Sequence, residues 1–249
     1  MRSRLFVPAR LPVMGGCLAL AAVGAACGGS SADGALAGKS PAQILAAASS
    51  AALKESGFHY VLQATGSSQT QTITGDAGVK EGVQTVASGS NQVEVEIVSG
   101  HAFLMGNAGG LQNTIGMPAA SATKYAGKWI SVATSDALYQ PISQAVTMNG
   151  VLGQLKPQGT LSALAPGKIA GHSVIGVKGG LPGKSQAGVT GSTVLYVATA
   201  NPTVPVGFDG EAKNGTQTVT DVGAFSHWGE KIALTAPTLA VPFSSIPTS

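Results

Sequence analysis

Ser173 and Ser121 lie in segments that partly match sequence motifs of nucleophilic serines. Both motifs are incomplete. Residues 171–176 have the sequence GHSVIG, but a nucleophile elbow needs a glycine two residues after Ser173, where Ile175 stands. Ser121 begins an S-x-x-K motif at 121–124 without the S-D-N and K-T-G motifs that accompany it in serine acyl-enzymes. A hydrolase would therefore require Ser173 or Ser121 to lie within hydrogen-bonding reach of a histidine.

The residue types that bind phosphate or metal ions also lack the required spacing. Residues 183–185 (GKS) end like a phosphate-binding loop, but Lys178 occupies the position of its first glycine. The histidines have no cysteine partner and form no H-x-x-x-H pair, although strands could bring two of them together with an acidic residue. They are His59, His101, His172 and His227. The sequence therefore predicts no enzyme, no metal site and no cofactor.

Cys27 carries a clearer chemical signal. Three arginines precede residues 11–26, which are uncharged and mostly apolar, and Cys27 is followed by Gly-Gly-Ser-Ser. This is the order of a secretory signal, and the apolar run is shorter than the ~20 residues that a membrane-spanning helix needs. The sequence resembles a bacterial lipobox, which predicts a signal peptide over 1–26 and acylation of Cys27, with palmitate among the acyl chains. We expect an anchor in the cell membrane, on its extracytoplasmic face.

Gly24 leaves an alternative to the lipid anchor open. The third residue before a lipobox cysteine is usually a branched apolar residue, but here it is Gly24, and Val23 lies one place too early. An ordinary signal peptidase also accepts small residues at these positions. It would release a secreted, soluble protein.

Removal of the signal changes the charge of the chain. Every arginine lies in the signal, so the remaining chain has 11 lysines against 11 acidic residues. A protein that grips phosphates would use clustered Arg and Lys, so nucleic acid is excluded as a partner. Cys17 also leaves with the signal, and Cys27 alone forms no intramolecular disulfide.

Hydrophobic periodicity predicts the elements of one domain over 41–249, after a Gly/Ser-rich tether over 27–40. Ser40 and Pro41 favour the start of a helix that continues to Leu53. Alternation of apolar and polar residues predicts strands from 58 to 105 and again over the last hundred residues. The remaining predictions are hairpin turns at 99–100 and 214–215, helices at 119–125 and from 136 to 150, and strands at 128–132, 168–177, 192–199, 204–211, 216–225 and 231–234.

This order of elements predicts an α+β domain. We expect a large curved antiparallel sheet, forming a half-barrel, with helices that cover its concave face. Such a sheet would enclose an apolar space.

Two tryptophan-containing segments resemble one family. Residues 125–132 (YAGKWISV) and 225–237 (FSHWGEKIALTAP) contain a Lys-Trp-apolar-x-Val strand around Trp129 and an aromatic-Ser-x-Trp-Gly strand around Trp228. In these segments the chain resembles the LppX/LprAFG family of actinobacterial lipoproteins, whose half-barrel is similar to that of the LolA lipoprotein carriers. The resemblance implies a carrier that holds acyl chains in an apolar cavity at the cell envelope, without catalytic residues.

Alternation along the strands nominates the residues that would line this cavity. They are Phe58, Tyr60, Leu62, Val95, Ile97, Phe103, Met105 and Trp129 on the sheet, with Leu138, Ile142 and Val146 on a covering helix. The expected partners are an acylated lipid or glycolipid, the membrane and a membrane transporter. The alternative is a non-carrier surface lipoprotein on the same scaffold, acting as a sensor, an accessory subunit or an adhesive module.

Overall fold

One large sheet forms the body of the protein. The computed structural model describes residues 34–66, 69–182 and 188–247. The strands within these residues are β1 (Gly57–Thr65), β2 (Thr70–Gly78), β3 (Gly82–Ser88), β4 (Asn91–Val98), β5 (His101–Gly106), β6 (Ile130–Val132), β7 (Gln158–Ala163), β8 (Gly167–Ile169), β9 (His172–Gly180), β10 (Val189–Ala198), β11 (Pro205–Asn214), β12 (Gln217–Ser226) and β13 (Val241–Pro242). The predicted signal peptide over 1–26, Gly24 and Cys27 all lie outside the described residues.

The sheet is open and almost entirely antiparallel. Its strand order is β13-β6-β5-β4-β3-β2-β1-β12-β11-β10-β9-β7, and β8 also pairs with β9. Only the short contact between β13 and β6 is parallel among the described strands. The predicted antiparallel sheet is confirmed.

The helices of the described residues pack on one face of this sheet, which we call the inner face and which carries Tyr60, Val95 and Leu195. They are α1 (Pro41–Ala52), α2 (Ala108–Gly110), α3 (Ala119–Tyr125), α4 (Tyr139–Val146) and α5 (Met148–Leu155), with a π-helix over Leu111–Ile115 and a 3₁₀ helix over Phe243–Ser245. No helix in the described ranges combines the length and hydropathy of a membrane span. The α+β class with helices on one face is confirmed.

Helix α1 begins as predicted. The Ser40 hydroxyl accepts from the Gln43 backbone N–H, and the Gln43 side chain accepts from the Ser40 N–H, which satisfies two backbone donors at the helix start. Ile44, Leu45 and Ala48 form the buried stripe. Leu53 is 53% exposed and follows the helix, so it does not extend that stripe.

The predicted tether reaches too far along the chain. Leu36 lies within residues 27–40, yet it is 2% exposed and belongs to the same core cluster as α1 and β1. An isolated apolar side chain next to an apolar core gains ~1.5–3 kcal/mol by burial, which favours its packing there. The folded region therefore includes Leu36.

The predicted helix from 136 to 150 is instead two helices. Thr147 has an extended backbone between α4 and α5 and forms an isolated bridge with Gly78 of β2. Asn149 and Gly150 thus stand in the first turn of α5 and do not end a helix. The contact with the sheet has overridden the local turn preference of Asn-Gly.

Both predicted hairpins form, but the turn of the second lies one residue later than predicted. Ser99 and Gly100 both have positive φ between β4 and β5, as a type I′ turn requires. In the later hairpin Asn214 pairs with Gln217, so the loop residues are Gly215 and Thr216. Only Gly215 has positive φ there, which fits a type II′ turn.

The C-terminal region differs most from the prediction. Residues 231–234 form no strand. The Ile232 side chain packs where the β-carbons of Gly57 and Gly78 would stand, and the chain then continues to β13, beside β6. The predicted strand is wrong because this segment makes side-chain contacts with the sheet in place of ladder hydrogen bonds.

Candidate functional site

The inner face divides into two apolar halves under different helices. Under α1 and α5, the side chains of β1 and β9–β11 form one cluster that includes Phe58, Leu195 and Phe208. Under α3, α4 and the π-helix, β4–β6 form a second cluster that includes Val95 and Leu104. The candidate site is the boundary between these halves.

A small cavity lies at this boundary. It is bordered by the inner face of β2–β4, the π-helix and α4, and its volume is about 30 Å³. A cavity of this size holds one or two water molecules. Its apolar lining comprises Ile73, Val86, Val93, Val95, Ile115 and Ile142.

Tyr60 ties the helices to the sheet beside the cavity. It is fully buried, and its hydroxyl donates to the side-chain oxygen of Gln84 (2.8 Å) and lies 3.0 Å from the Ala145 carbonyl of α4. Burial, reinforced by the negative charge of Asp76, raises the pKa of Tyr60 far above its usual value, so the phenol stays protonated. Tyr60 is thus a neutral donor at the center of an apolar face.

A glycine allows the junction of α4 and α5 to approach the sheet. A β-carbon on Gly82 would overlap the Val146 carbonyl oxygen. Only a residue without a side chain permits a contact this close at Gly82. The covering helix therefore rests directly on the backbone of β3.

Trp228 packs on the inner face where β1 begins. Its ring stacks on Phe58 with centroids 4.4 Å apart and planes inclined by 19°. Its indole N–H donates to the Pro205 carbonyl at 2.9 Å. The tryptophan of the second family-like segment thus links β1 to the start of β11.

A row of small and polar residues crosses the inner face near the cavity. Strand pairing places Gln71, Ala64, Asp221, Gly210 and Thr193 side by side from β2 to β10. Burial raises the pKa of Asp221 above its usual value. The Thr193 hydroxyl is buried and has no hydrogen-bond partner within the described residues. We call this row of residues the polar margin of the inner face.

Two of the predicted cavity residues line the cavity, and others pack in the two apolar clusters. Val95 and Ile142 line the cavity. Phe58 and Tyr60 lie in the first cluster, with Leu62 packed against it, and Ile97, Val146 and Leu138 belong to or border the second. These residues share the inner side of the sheet.

Phe103 and Met105 were predicted on the wrong face. The turn at Ser99–Gly100 pairs Val98 with His101, so Phe103 opposes Glu96 and Met105 opposes Glu94. Residues directly opposite in an antiparallel pair share a face, which places both on the outer face. Their neighbors Ala102 and Leu104 are the inward residues of β5.

Trp129 lies outside the strand that was predicted to contain it. β6 begins at Ile130, and Ile130 and Val132 are its buried residues. Trp129 is half-buried, and its carbonyl accepts from the Val241 N–H at 2.9 Å. The parallel contact with β13 determines its position.

The sequence analysis missed most of the lining residues, among them four of the six isoleucines and valines. Ile73, Val86 and Val93 alternate with polar neighbors on β2–β4, and that alternation could have assigned them to the inner face. Ile115 belongs to the π-helix, for which the sequence offers no periodic signal.

The candidate serines have other surroundings than a catalytic pair. The Ser121 hydroxyl donates to the Pro247 carbonyl at 3.0 Å. Ser173 lies on β9, where its carbonyl accepts from the Thr199 N–H. Within the described ranges, no three His, Cys, Asp or Glu side chains gather as a metal-binding group.

Glu96 is a buried acid on the outer face. It is 6% exposed, and burial, together with the charge of Glu94, raises the pKa of Glu96 to about 7. One of its carboxylate oxygens has no hydrogen-bond partner among the described residues. Ionization of Glu96 therefore opposes folding.

We expect Glu96→Gln to stabilize the protein above neutral pH. The folded state binds the Glu96 proton more tightly than the unfolded state, whose pKa is near 4.5, so wild-type stability falls as pH rises from about 4.5 to 7. At pH 8 the variant should gain up to about 3 kcal/mol, and the gain should vanish near pH 4. Urea unfolding across this pH range measures it.

Glu94→Gln is the matched control, since Glu94 shares the outer face two residues away on β4. It should gain less than about 1 kcal/mol at pH 8. Equal, pH-independent gains in the two variants would contradict the role of Glu96.

Comparisons with known proteins find similarity of fold only. No family model matches the sequence, and no curated protein matches it. Among solved structures, LprF from Mycobacterium bovis has a TM-score of 0.48 at 14% identity, over 79% of this chain and 96% of that one. Lipoprotein LppX from Mycobacterium tuberculosis has a TM-score of 0.47 at 13% identity, over 79% and 100%.

An uncharacterized protein from Thermus thermophilus is also similar, with a TM-score of 0.42 at 11% identity, over 82% of this chain and 98% of that one. LprF and LppX belong to the family that the segments around Trp129 and Trp228 resemble. At these identities and TM-scores, the similarities assign neither a ligand nor an activity to this chain.

Proposed function

We propose that this protein is a lipid-anchored carrier that holds the acyl part of a lipid or glycolipid between the inner face and the helices above it. The signal would occupy 1–26, acylated Cys27 would hold the protein on the extracytoplasmic side of the cell membrane, and one domain would bind the lipid. The observation that carries this proposal is the apolar cavity between β2–β4, the π-helix and α4.

The chemistry of the cavity suits an acyl chain. Most of its lining is aliphatic, from Ile73 and Val86 on the sheet to Ile115 and Ile142 above it. An acyl chain offers no hydrogen bonds, so it binds by leaving water for such a surface, at ~0.8 kcal/mol for each buried methylene.

Loading requires the cavity to grow. Small-molecule sites have volumes of ~300–1,000 Å³, whereas the cavity here has about 30 Å³. An acyl chain could therefore bind there only if the surrounding helices moved away from the sheet. Opening would separate α4 and the π-helix from β2–β4 and break the contact of Tyr60 with Ala145.

The polar margin of the inner face offers contacts for a head group. The row from Gln71 through Asp221 to Thr193 begins at the cavity and continues across β1, β12 and β11. Within the described residues the Thr193 hydroxyl has no hydrogen-bond partner, and burial raises the pKa of Asp221 above its usual value. Both groups could bind sugar or glycerol hydroxyls.

Lipid extraction and a labelled probe test the proposal. The intact protein is purified from its membrane, and its bound lipids are extracted and identified by mass spectrometry. Uptake of fluorescent palmitate is then measured for Val86→Phe, which fills the cavity, and for Val83→Phe on the outer side of the same strand.

We expect co-purified lipid and saturable palmitate uptake, both reduced more than tenfold in Val86→Phe and unchanged in Val83→Phe. Thermal unfolding establishes that each variant is folded. Equal uptake by the two folded variants, or no lipid and no uptake in the wild type, would reject the carrier.

The alternative is a non-carrier surface lipoprotein, such as a sensor, an accessory subunit or an adhesive module. The closely packed interior favours this function. On the outer face, Val61 and Val222 are 38% and 49% exposed and lie on paired strands, β1 and β12. A membrane transporter would be a partner under either function, and its capture should depend on Val61 and Val222 only under the alternative.

A further inference from the structure

Two histidines far apart in sequence meet on the outer face. His59 of β1 pairs with Ser226 at the end of β12, and His227 is the next residue. Their ring centroids are 5.8 Å apart. A metal ion bound at ~2.1 Å to one nitrogen of each ring allows centroids roughly 6 Å apart.

Asp76 contacts the His59 ring in a way that would orient it for metal binding. Its carboxylate lies opposite His59 on β2, and the His59 Nδ1 to Asp76 Oδ1 distance is 2.6 Å. A carboxylate only accepts hydrogen bonds, so Nδ1 carries the proton and Nε2 keeps its lone pair in the neutral ring. Carboxylates that hold metal-binding imidazoles in this way orient the ring and raise its basicity.

His227 has a similar neighbor. The Glu230 carboxylate lies 3.9 Å from its Nδ1, and the other Glu230 oxygen is buried without a hydrogen-bond partner in the described part of the chain. Both rings therefore have a carboxylate on the Nδ1 side. Because each carboxylate lies near Nδ1, Nε2 is the nitrogen of each ring that an ion would use.

The backbone holds His227 near His59. His227 has a φ of 52°, a left-handed conformation that is uncommon for a residue other than glycine. The turn is fixed by the Glu230 N–H donating to the His227 carbonyl and by Gly229 donating to Gly57. Trp228 anchors the same turn on the inner face.

We infer that His59 and His227 form a binding site for a divalent transition-metal ion with a preference for imidazole, such as Zn²⁺ or Cu²⁺. Their Nε2 atoms are the ligands, and Asp76 and Glu230 accept from or neutralize the Nδ1 side. No third protein ligand gathers there in the described ranges, so water completes the coordination. This site is independent of the proposed lipid binding, which uses the other face.

Metal titration tests the inference. The full chain is used with Cys17→Ser and Cys27→Ser, so that no thiol competes, and Zn²⁺ binding is followed by calorimetry. We expect one ion per chain and at least a tenfold loss of affinity in His59→Ala and in His227→Ala. Asp76→Asn should lose about tenfold through the ring that it orients. Electron paramagnetic resonance of the Cu²⁺ form should detect two nitrogen ligands.

The other two histidines provide the controls. His101 begins β5 and His172 begins β9, and their replacement by alanine should leave Zn²⁺ affinity unchanged. His227 is 71% exposed, so its replacement does not threaten folding. Absence of stoichiometric binding, or equal losses in His227→Ala and His101→Ala, would overturn the site, whatever the result for palmitate.

Discussion

Replacing Gly82 by alanine is expected to lower the free energy of unfolding by about 3 kcal/mol or more. The new β-carbon would overlap the Val146 carbonyl oxygen, and it would stand 2.9 Å from the Asp76 carbonyl oxygen. Neither backbone atom can rotate away, so α4 must move from β3. Urea unfolding measures the loss, and hydrogen exchange should rise in α4 and α5 more than in β9–β12.

Gly167→Ala is the control for this change. Gly167 stands in β8, and a β-carbon there would meet no atom within 4 Å. Alanine should be neutral or gain up to about 1 kcal/mol, because it restricts the unfolded chain. The close approach of α4 to β3 would be disproved by a Gly82→Ala protein as stable as Gly167→Ala.

Replacing Trp228 by alanine should cost about 3 kcal/mol. The change removes the stack on Phe58, and it leaves the Pro205 carbonyl without its donor. Trp228→Phe keeps an aromatic ring for the stack and loses only the donor, so it should cost about 1 kcal/mol. Thermal and urea unfolding of both variants compare the two contributions.

The two Trp228 variants should also differ in metal binding on the outer face. His227 precedes Trp228, so Trp228→Ala should also weaken Zn²⁺ binding, whereas Trp228→Phe should preserve it. Equal stability losses in Trp228→Ala and Trp228→Phe would mean that the hydrogen bond, and not the stack, holds the turn.

Local signals were reliable where neighboring residues alone decide the structure. The helix start at Ser40 and Pro41 and the turn at Ser99–Gly100 form between residues close in sequence, and both were found as predicted. Helix α3 also has the predicted bounds. Such features need no distant partner, so the sequence suffices for them.

Errors arose where a distant contact chose between local options. Thr147 is extended because it pairs with Gly78, which divides one predicted helix into two. Phe103 faces outward because the pairing across the β4–β5 turn sets its register with Glu96. Alternation shows that two faces exist, but it does not state which face of one strand continues that of the next.

By itself, the sequence determined the α+β class, the neutral charge of residues 27–249 and the run of strands whose alternation builds an apolar face. Only the tertiary structure decided that the face is nearly filled, that Tyr60 ties it to α4 and that His59 meets His227. The physical reason is that cavity volume and side-chain proximity depend on how helices and strands dock. Docking joins residues that no local pattern relates.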